Sequence, residues 1–201
     1  QLSNRNIQKL SFKKKKMIGY FELIKNFLHM KKTLIIYSTT DGQTKRICDR
    51  IIEFSKNKSE ITLCEIENAP SIDLDHYRKI VIGASIRYGK HNPLVYKFVR
   101  ANRDALEKKS TAFFTVNVVA RKKEKNQPDT NPYMKKFLEL SGWRPDKLAV
   151  FAGRIDYPSY RFLDRLIIRF IMLITKGPTD TSQTYEFTDW NKVANFAKEV
   201  L

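Results

Sequence analysis

Between residues 38 and 44 the chain places Ser38, Thr39, Thr40, Asp41, Gly42, Gln43 and Thr44 in succession, a run rich in hydroxyls with a single glycine. The preceding run, Thr33-Leu34-Ile35-Ile36-Tyr37, reads as a buried strand. The following residues carry Ile47, Ile51 and Phe54 on one helical face, with Cys48 and Ile52 beside them. A strand's C-terminal end is thus joined to a helix's N-terminus, where unpaired backbone N–H groups and the helix dipole favour an anion. The loop has neither the Gly-x-Gly-x-x-Gly of dinucleotide sites nor the Gly-Lys-Ser/Thr of nucleotide-triphosphate loops. Hydroxyls without a lysine suit one terminal phosphate held by neutral donors. The same residues would also serve as plain helix capping.

The elements that would position this loop recur along the chain. Lys79-Ile80-Val81-Ile82-Gly83 is a second apolar run ending in a candidate loop, Ala84-Ser85-Ile86-Arg87-Tyr88-Gly89-Lys90-His91. Thr111-Ala112-Phe113-Phe114-Thr115-Val116 is a third, ending in Asn117-Val118-Val119-Ala120. Ile61–Glu65 supplies a further strand, and 68–77 is a connection broken by Pro70. Pro93 opens a helix over 94–108, with Leu94, Val95, Phe98, Val99 and Leu106 inward. A helix over 132–140, a fifth strand at 147–151 and a last helix over 189–200 complete the order. Alternating strands and helices predict an α/β fold, a parallel sheet covered on both faces with right-handed crossovers. Three strands that end in polar loops face the crevice of such a sheet, where ligands bind.

With these motifs in place, the chain resembles a known family. Ser38–Thr44 is similar to the FMN phosphate loop of flavodoxins. Together with Gly83–Gly89, Val116–Lys122 and Ser141-Gly142-Trp143-Arg144-Pro145-Asp146, it resembles the flavodoxin-type, quinone-dependent protoporphyrinogen IX dehydrogenases of bacterial haem synthesis. The likeness runs from about Met30 to Leu201. It implies a flavodoxin-like three-layer sandwich whose five parallel strands are ordered 2-1-3-4-5. It also implies FMN held by Ser38, Thr39, Thr40, Asp41, Gly42, Gln43 and Thr44. Ser85, Ile86, Arg87, Tyr88 and Gly89 would flank the flavin on one side, with Tyr88 stacking on its ring. Thr115, Val116, Asn117, Val118, Val119 and Ala120 would flank the other. The implied partners are protoporphyrinogen IX and a membrane quinone, menaquinone or ubiquinone, at the cytoplasmic face of the cell membrane. No side chain stands out as a catalytic base. His91 is a candidate by position only and is expected to be a surface loop histidine. The alternatives are an NAD(P)H:quinone oxidoreductase of the same fold and a non-catalytic flavin electron carrier.

Charge and composition narrow these choices. The formal charge is +17; residues 1–29 hold seven cations against Glu22, or +6, leaving +11 for the rest. A basic domain attracts anionic lipid, nucleic acid or acidic substrates and does not suit a plain acidic carrier. Nucleic acid is disfavoured because the aromatics fall mainly in strands and helices, not among basic residues on one face. Cys48 and Cys64 show no metal-type spacing, no metal site is expected, and both read as small buried hydrophobes. Residues 1–29 read as an extension, a translated upstream region or disordered tail, with a lipid-contacting arm as the alternative. Residues 30–201 read as one flavin-binding domain.

Two stretches depart from a minimal flavodoxin. After Ala152-Gly153, strand five is expected to resume only at Thr184-Tyr185-Glu186-Phe187, so 154–181 is an insertion. Within it, 162–174 has helical periodicity, with Arg161, Asp164, Arg165, Arg169 and Lys176 on one side and apolar residues elsewhere. Twelve residues span roughly 18 Å, too short for a hydrocarbon layer of ~30 Å. A wide apolar face with a cationic stripe suits a helix lying in a membrane interface, with Phe162, Leu166 and Phe170 toward lipid or quinone. A homo-oligomer contact and a buried core helix are the alternatives. The second departure is the basic run 121–125. It reads either as a solvated loop or, with Arg87, Arg121, Lys122 and Lys123, as a receiver for the propionates of the implied substrate.

Overall fold

The computed structural model describes residues 16, 17, 20, 32–55 and 60–201. The expected extension at 1–29 and the domain start at 30 fall almost wholly outside them. The strands are β1 Thr33–Ser38, β2 Ile61–Glu65, β3 Lys79–Arg87, β4 Lys90–His91, β5 Ser110–Val116, β6 Lys147–Phe151, β7 Arg154–Asp156 and β8 Thr184–Glu186. The helices are α1 Gln43–Glu53, α2 Pro93–Ala101, α3 Arg103–Glu107, α4 Pro132–Ser141, α5 Phe162–Ile174 and α6 Trp190–Val200.

Five strands form a parallel sheet in the order β2-β1-β3-β5-β6, as the alternation of elements predicts. Successive residues of a strand point to opposite faces, so a strand covered on both sides is apolar throughout. Ile36, Ile82 and Phe113 enter one core with Val95, Phe98 and Val99 of α2 and Met134 and Phe137 of α4. Ile35, Val81 and Phe114 enter the other with Ile47, Cys48 and Ile51 of α1 and Val193, Phe196 and Val200 of α6. Gly83 sits directly beneath Phe114: a Cβ there would come within 2.2 Å of the ring, so any side chain must displace a buried phenyl.

Four local expectations are corrected. Phe54 is exposed, because α1 ends at Glu53 and Phe54 only caps it. The helix expected over 94–108 is broken at Asn102 into α2 and α3, and Leu94 faces solvent in the first turn. The loop expected at 84–91 is largely strand. β3 runs on to Arg87, then turns through Tyr88 and Gly89 to pair antiparallel with β4. Both turn residues have positive φ, 49° and 77°, as a two-residue hairpin of right-handed twist requires.

The fourth correction concerns the insertion. Strand five does not resume in the main sheet. β8 pairs antiparallel with β7 in a separate two-stranded sheet, with Phe187 N–H donating to the Gly153 carbonyl at 3.1 Å. This small sheet and α5 share a third core of Ile155, Tyr157, Tyr160 and Met172, flanked by Ile168 and Val118. The insertion is thus a mini-layer at the C-terminal ends of the parallel strands.

Candidate functional site

A cleft of about 200 Å³ opens between the C-terminal ends of β1, β3 and β5 and the underside of α5. The first wall is the loop after β1. Gly42 adopts a left-handed conformation (φ 76°) as it turns the chain into α1, a geometry a side chain would strain, although a Cβ there would meet nothing. It contributes no side-chain cap to α1. Thr39 and Thr44 carry buried hydroxyls with no hydrogen-bond partner. A buried, unpaired hydroxyl costs roughly 1–3 kcal/mol, so two such donors in one loop at a helix start fit an anionic acceptor. Simple capping does not explain them. Thr39, Thr40 and Asp41 line the cleft, whereas Ser38 and Thr44 are buried behind it.

Gln43 has another task. Its side chain donates to Glu186 Oε1 and Thr188 Oγ1, both at 2.9 Å, and accepts from Arg46 Nη1, tying the loop to the strand β8.

The second wall is the β3–β4 hairpin, with Ser85, Ile86, Arg87, Tyr88 and Gly89 along the cleft. Tyr88, 57 % exposed, is held in its left-handed turn by a hydrogen bond from its hydroxyl to Asp164 Oδ1 of α5. Arg87 bridges two carboxylates. Nη1 lies 3.1 Å from Asp41 Oδ2 in the first wall, and Nη2 lies 3.0 Å from Asp164 Oδ2 in the roof. Burial pushes the Asp41 carboxyl above its ordinary pKa, against the pull of the Arg87 guanidinium and of a 3.4 Å hydrogen bond from Tyr160.

The third wall is Val116, Asn117, Val118 and Val119. Asn117 Oδ1 accepts from Ala120 N–H and from Asn131 Nδ2, leaving its own Nδ2 buried without a partner. Ala120 and Thr115 lie behind this wall. Thr115 turns its hydroxyl away to meet His91 Nε2 at 2.9 Å. His91 is therefore not a surface histidine. It is 4 % exposed among Phe113, Phe137 and Tyr96, and burial lowers its pKa to about 4, so the ring is neutral.

The roof was not foreseen as part of the site. Ile168, Ile171 and Met172 of α5 and Thr175, which caps it, line the cleft, with Tyr160, Arg154 and Ile155 from the mini-layer and Tyr133 from α4. Spacings of three, four and seven from Ile168 are the signal in the sequence: one face of an apolar helix. α5 is fastened at both ends. Asp164 holds the hairpin, Arg165 donates to the Pro158 and Tyr160 carbonyls, and Arg121 Nη2 reaches Thr175 O and Oγ1 at 2.9 and 2.8 Å. The polar side of α5 thus turns partly inward, and most of its apolar side faces out. Arg87 and Arg121 are both engaged in these internal bonds. Lys122 and Lys123 do not line the cleft.

An open parallel sheet with strand order 2-1-3-4-5 and a crevice bounded by these three loops defines a flavodoxin-like protein. A flavodoxin domain family model matches residues 34–182, and the chain belongs to this family. Protoporphyrinogen IX dehydrogenase [quinone] of Escherichia coli K12 is 43 % identical over 170 residues, covering 84 % of this chain and 94 % of that protein. A protein of the same name from Leishmania major is 41 % identical over 170 residues, covering 84 % of this chain and 74 % of its own length. Among solved structures, oxidised flavodoxin 1 from Bacillus cereus aligns with a TM-score of 0.46 at 18 % identity, over 84 % of this chain and 96 % of its own.

Proposed function

We propose that this chain oxidises protoporphyrinogen IX to protoporphyrin IX with FMN as cofactor and a quinone as electron acceptor, a step of haem synthesis. The observation that carries the cofactor is the pair of buried, unpaired hydroxyls of Thr39 and Thr44 in a loop without lysine. The kinship with dehydrogenases of that name, over most of both chains, narrows the reaction.

The donor set fits FMN. Thr39, Thr40 and Thr44 would hold the phosphate, with the amides at the start of α1. Tyr88, Gly89 and Asn117–Val119 would flank the ring system, and the unpaired Asn117 Nδ2 offers it a donor. FMN bound there would supply the two-electron redox chemistry that links porphyrinogen and quinone. The roof of Ile168, Ile171 and Met172 keeps water from the reacting face, and Arg87 fixes the distance between phosphate loop and roof. A proton from the substrate leaves to solvent, since neutral, enclosed His91 is already bonded to Thr115 and does not line the cleft.

The exposed face of α5 is the proposed contact with the membrane and its quinone. Phe162, Leu163, Leu166, Ile167, Phe170 and Leu173 are all exposed, and Arg161, Arg169 and Lys176 remain outward for anionic headgroups. Among the described residues no helix is long and apolar enough to cross a membrane. This reading puts the protein peripherally on the cytoplasmic face of the cell membrane, with menaquinone or ubiquinone as acceptor. Residues 30–201 form the catalytic unit.

An anaerobic assay of purified protein with porphyrinogen and a water-soluble quinone tests the reaction. Porphyrin fluorescence should appear in step with quinone loss. Protein that retains FMN but turns over only NAD(P)H would instead be a quinone reductase. Replacing Thr39 and Thr44 together with alanine should weaken FMN retention about tenfold or more. Leu166→Asp with Phe170→Asp should release the protein from anionic liposomes and slow quinone reduction; retained binding with loss of an oligomer on a sizing column would make α5 a subunit contact.

A further inference from the structure

A second cleft, of about 350 Å³, adjoins the first and shares Gly89 and Tyr133 with it. Its rim carries Lys90 of β4, Arg100 of α2 and Lys136 of α4, three cations from three elements. All three are exposed, and none of their side chains has a hydrogen bond or ion pair among the described residues. Among the described residues no acidic side chain lines the cleft. The contrast with Arg87 and Arg121, both spent on internal partners, is sharp. Between the cations the wall is apolar or aromatic: Pro93, Tyr96 and Leu140, the last 54 % exposed. Beneath lies a layer of packed aromatic rings. Phe137 is stacked on Phe113 at 3.8 Å, and Tyr96 reaches His91 Nδ1 with its hydroxyl at 3.4 Å.

Unpaired charges of one sign around a concave apolar surface focus a positive potential and suit an amphipathic anion. A lone phosphate would need convergent donors and no greasy wall. A flat apolar body with two carboxylates on one edge uses both features. We propose that this second cleft is the carboxylate-reading end of the substrate site. The tetrapyrrole ring lies toward Gly89 and Tyr133 at the mouth of the flavin cleft, and its two propionates meet Lys90, Arg100 and Lys136. This inference rests on the reaction proposed above for the identity of the substrate. It moves the propionates away from Arg87 and the 121–125 run, where the sequence alone would put them.

The test uses the FMN-loaded protein and two probes, protoporphyrin IX and its dimethyl ester, followed by absorbance titration. Wild type should prefer the diacid by about tenfold or more, as expected for charge-assisted bonds at a partly enclosed site. Lys90→Gln, Arg100→Gln and Lys136→Gln together should abolish that preference. They should raise KM for porphyrinogen about tenfold, with kcat and flavin content little changed. The three positions are on the surface, so folding should survive. An undiminished preference for the diacid in the triple variant overturns the proposal, as does loss of the preference through Lys122→Gln and Lys123→Gln instead. Failure of the two ideas is distinguishable: wild type that selects the diacid without oxidising porphyrinogen sustains the cleft and rejects the reaction. Turnover with an unchanged KM in the triple variant rejects the cleft alone.

Discussion

On the sheet side of the flavin cleft, apolar side chains point inward from both strands and helices, and polar groups gather at the strand ends. On the insertion side, α5 reverses the arrangement. Asp164, Arg165 and Thr175 bond to the body of the protein, while Phe162, Leu166, Phe170 and Leu173 stand in solvent. The sheet is held by burial, which scales with apolar area removed from water. The roof is held by a few charge-assisted bonds and the small core around Tyr157 and Met172. The two regions should therefore answer very differently to the same kind of substitution.

The largest difference is expected for truncated phenylalanines. Phe113→Ala, at a side chain with no exposure, should cost about 3–5 kcal/mol in urea unfolding. A change under 1 kcal/mol there would deny that the strands carry the stability. Acid should come next. Burial depresses His91, so the unfolded chain binds a proton that the folded chain refuses. Stability present above pH ~6.5 should decline as pH falls toward about 4, by up to ~3 kcal/mol, and His91→Asn should remove that part of the slope. Asp164→Asn is a smaller disturbance. It should loosen the roof by about 1–2 kcal/mol, seen as faster amide exchange across 162–174 with β5 unaffected. Equal acceleration in β5 would make roof and sheet one cooperative unit. Phe170→Ala, at a residue 62 % exposed, should shift the unfolding midpoint least, within ~0.5 kcal/mol.

The same contrast explains what could be read from the sequence. The five strands and their order were legible because strands alternate with helices and because β1, β3 and β5 are apolar on both faces and end in polar loops. The loop after β1 was legible as a wall of the crevice because hydroxyls at a helix start have a local meaning. Each misreading involved a distant partner. Strand β8 looks like the return of strand five, yet Tyr185 pairs with Ile155 instead. His91 follows a glycine turn and resembles a loop residue. Only the packing of α2 and α4 against β5 encloses it among aromatic rings. Periodicity marked the polar side of α5 but not which way it would face, since that depends on Arg87 and Arg121, which lie 77 and 54 positions before their partners Asp164 and Thr175. Free cations are equally hidden: Arg87 and Arg100 differ in nothing local, and only the fold shows that one is paired and the other is not.

The buried, unpaired hydroxyls of Thr39 and Thr44 bear on more than turnover. A ligand that satisfies them binds the folded chain and not the unfolded one, so its presence at a hundredfold excess over Kd adds about 2.7 kcal/mol to stability. A margin of that size separates a long-lived protein from one that proteases clear. The amount of this protein in a cell would then follow the supply of riboflavin, and vitamin starvation would deplete the polypeptide as well as silence it.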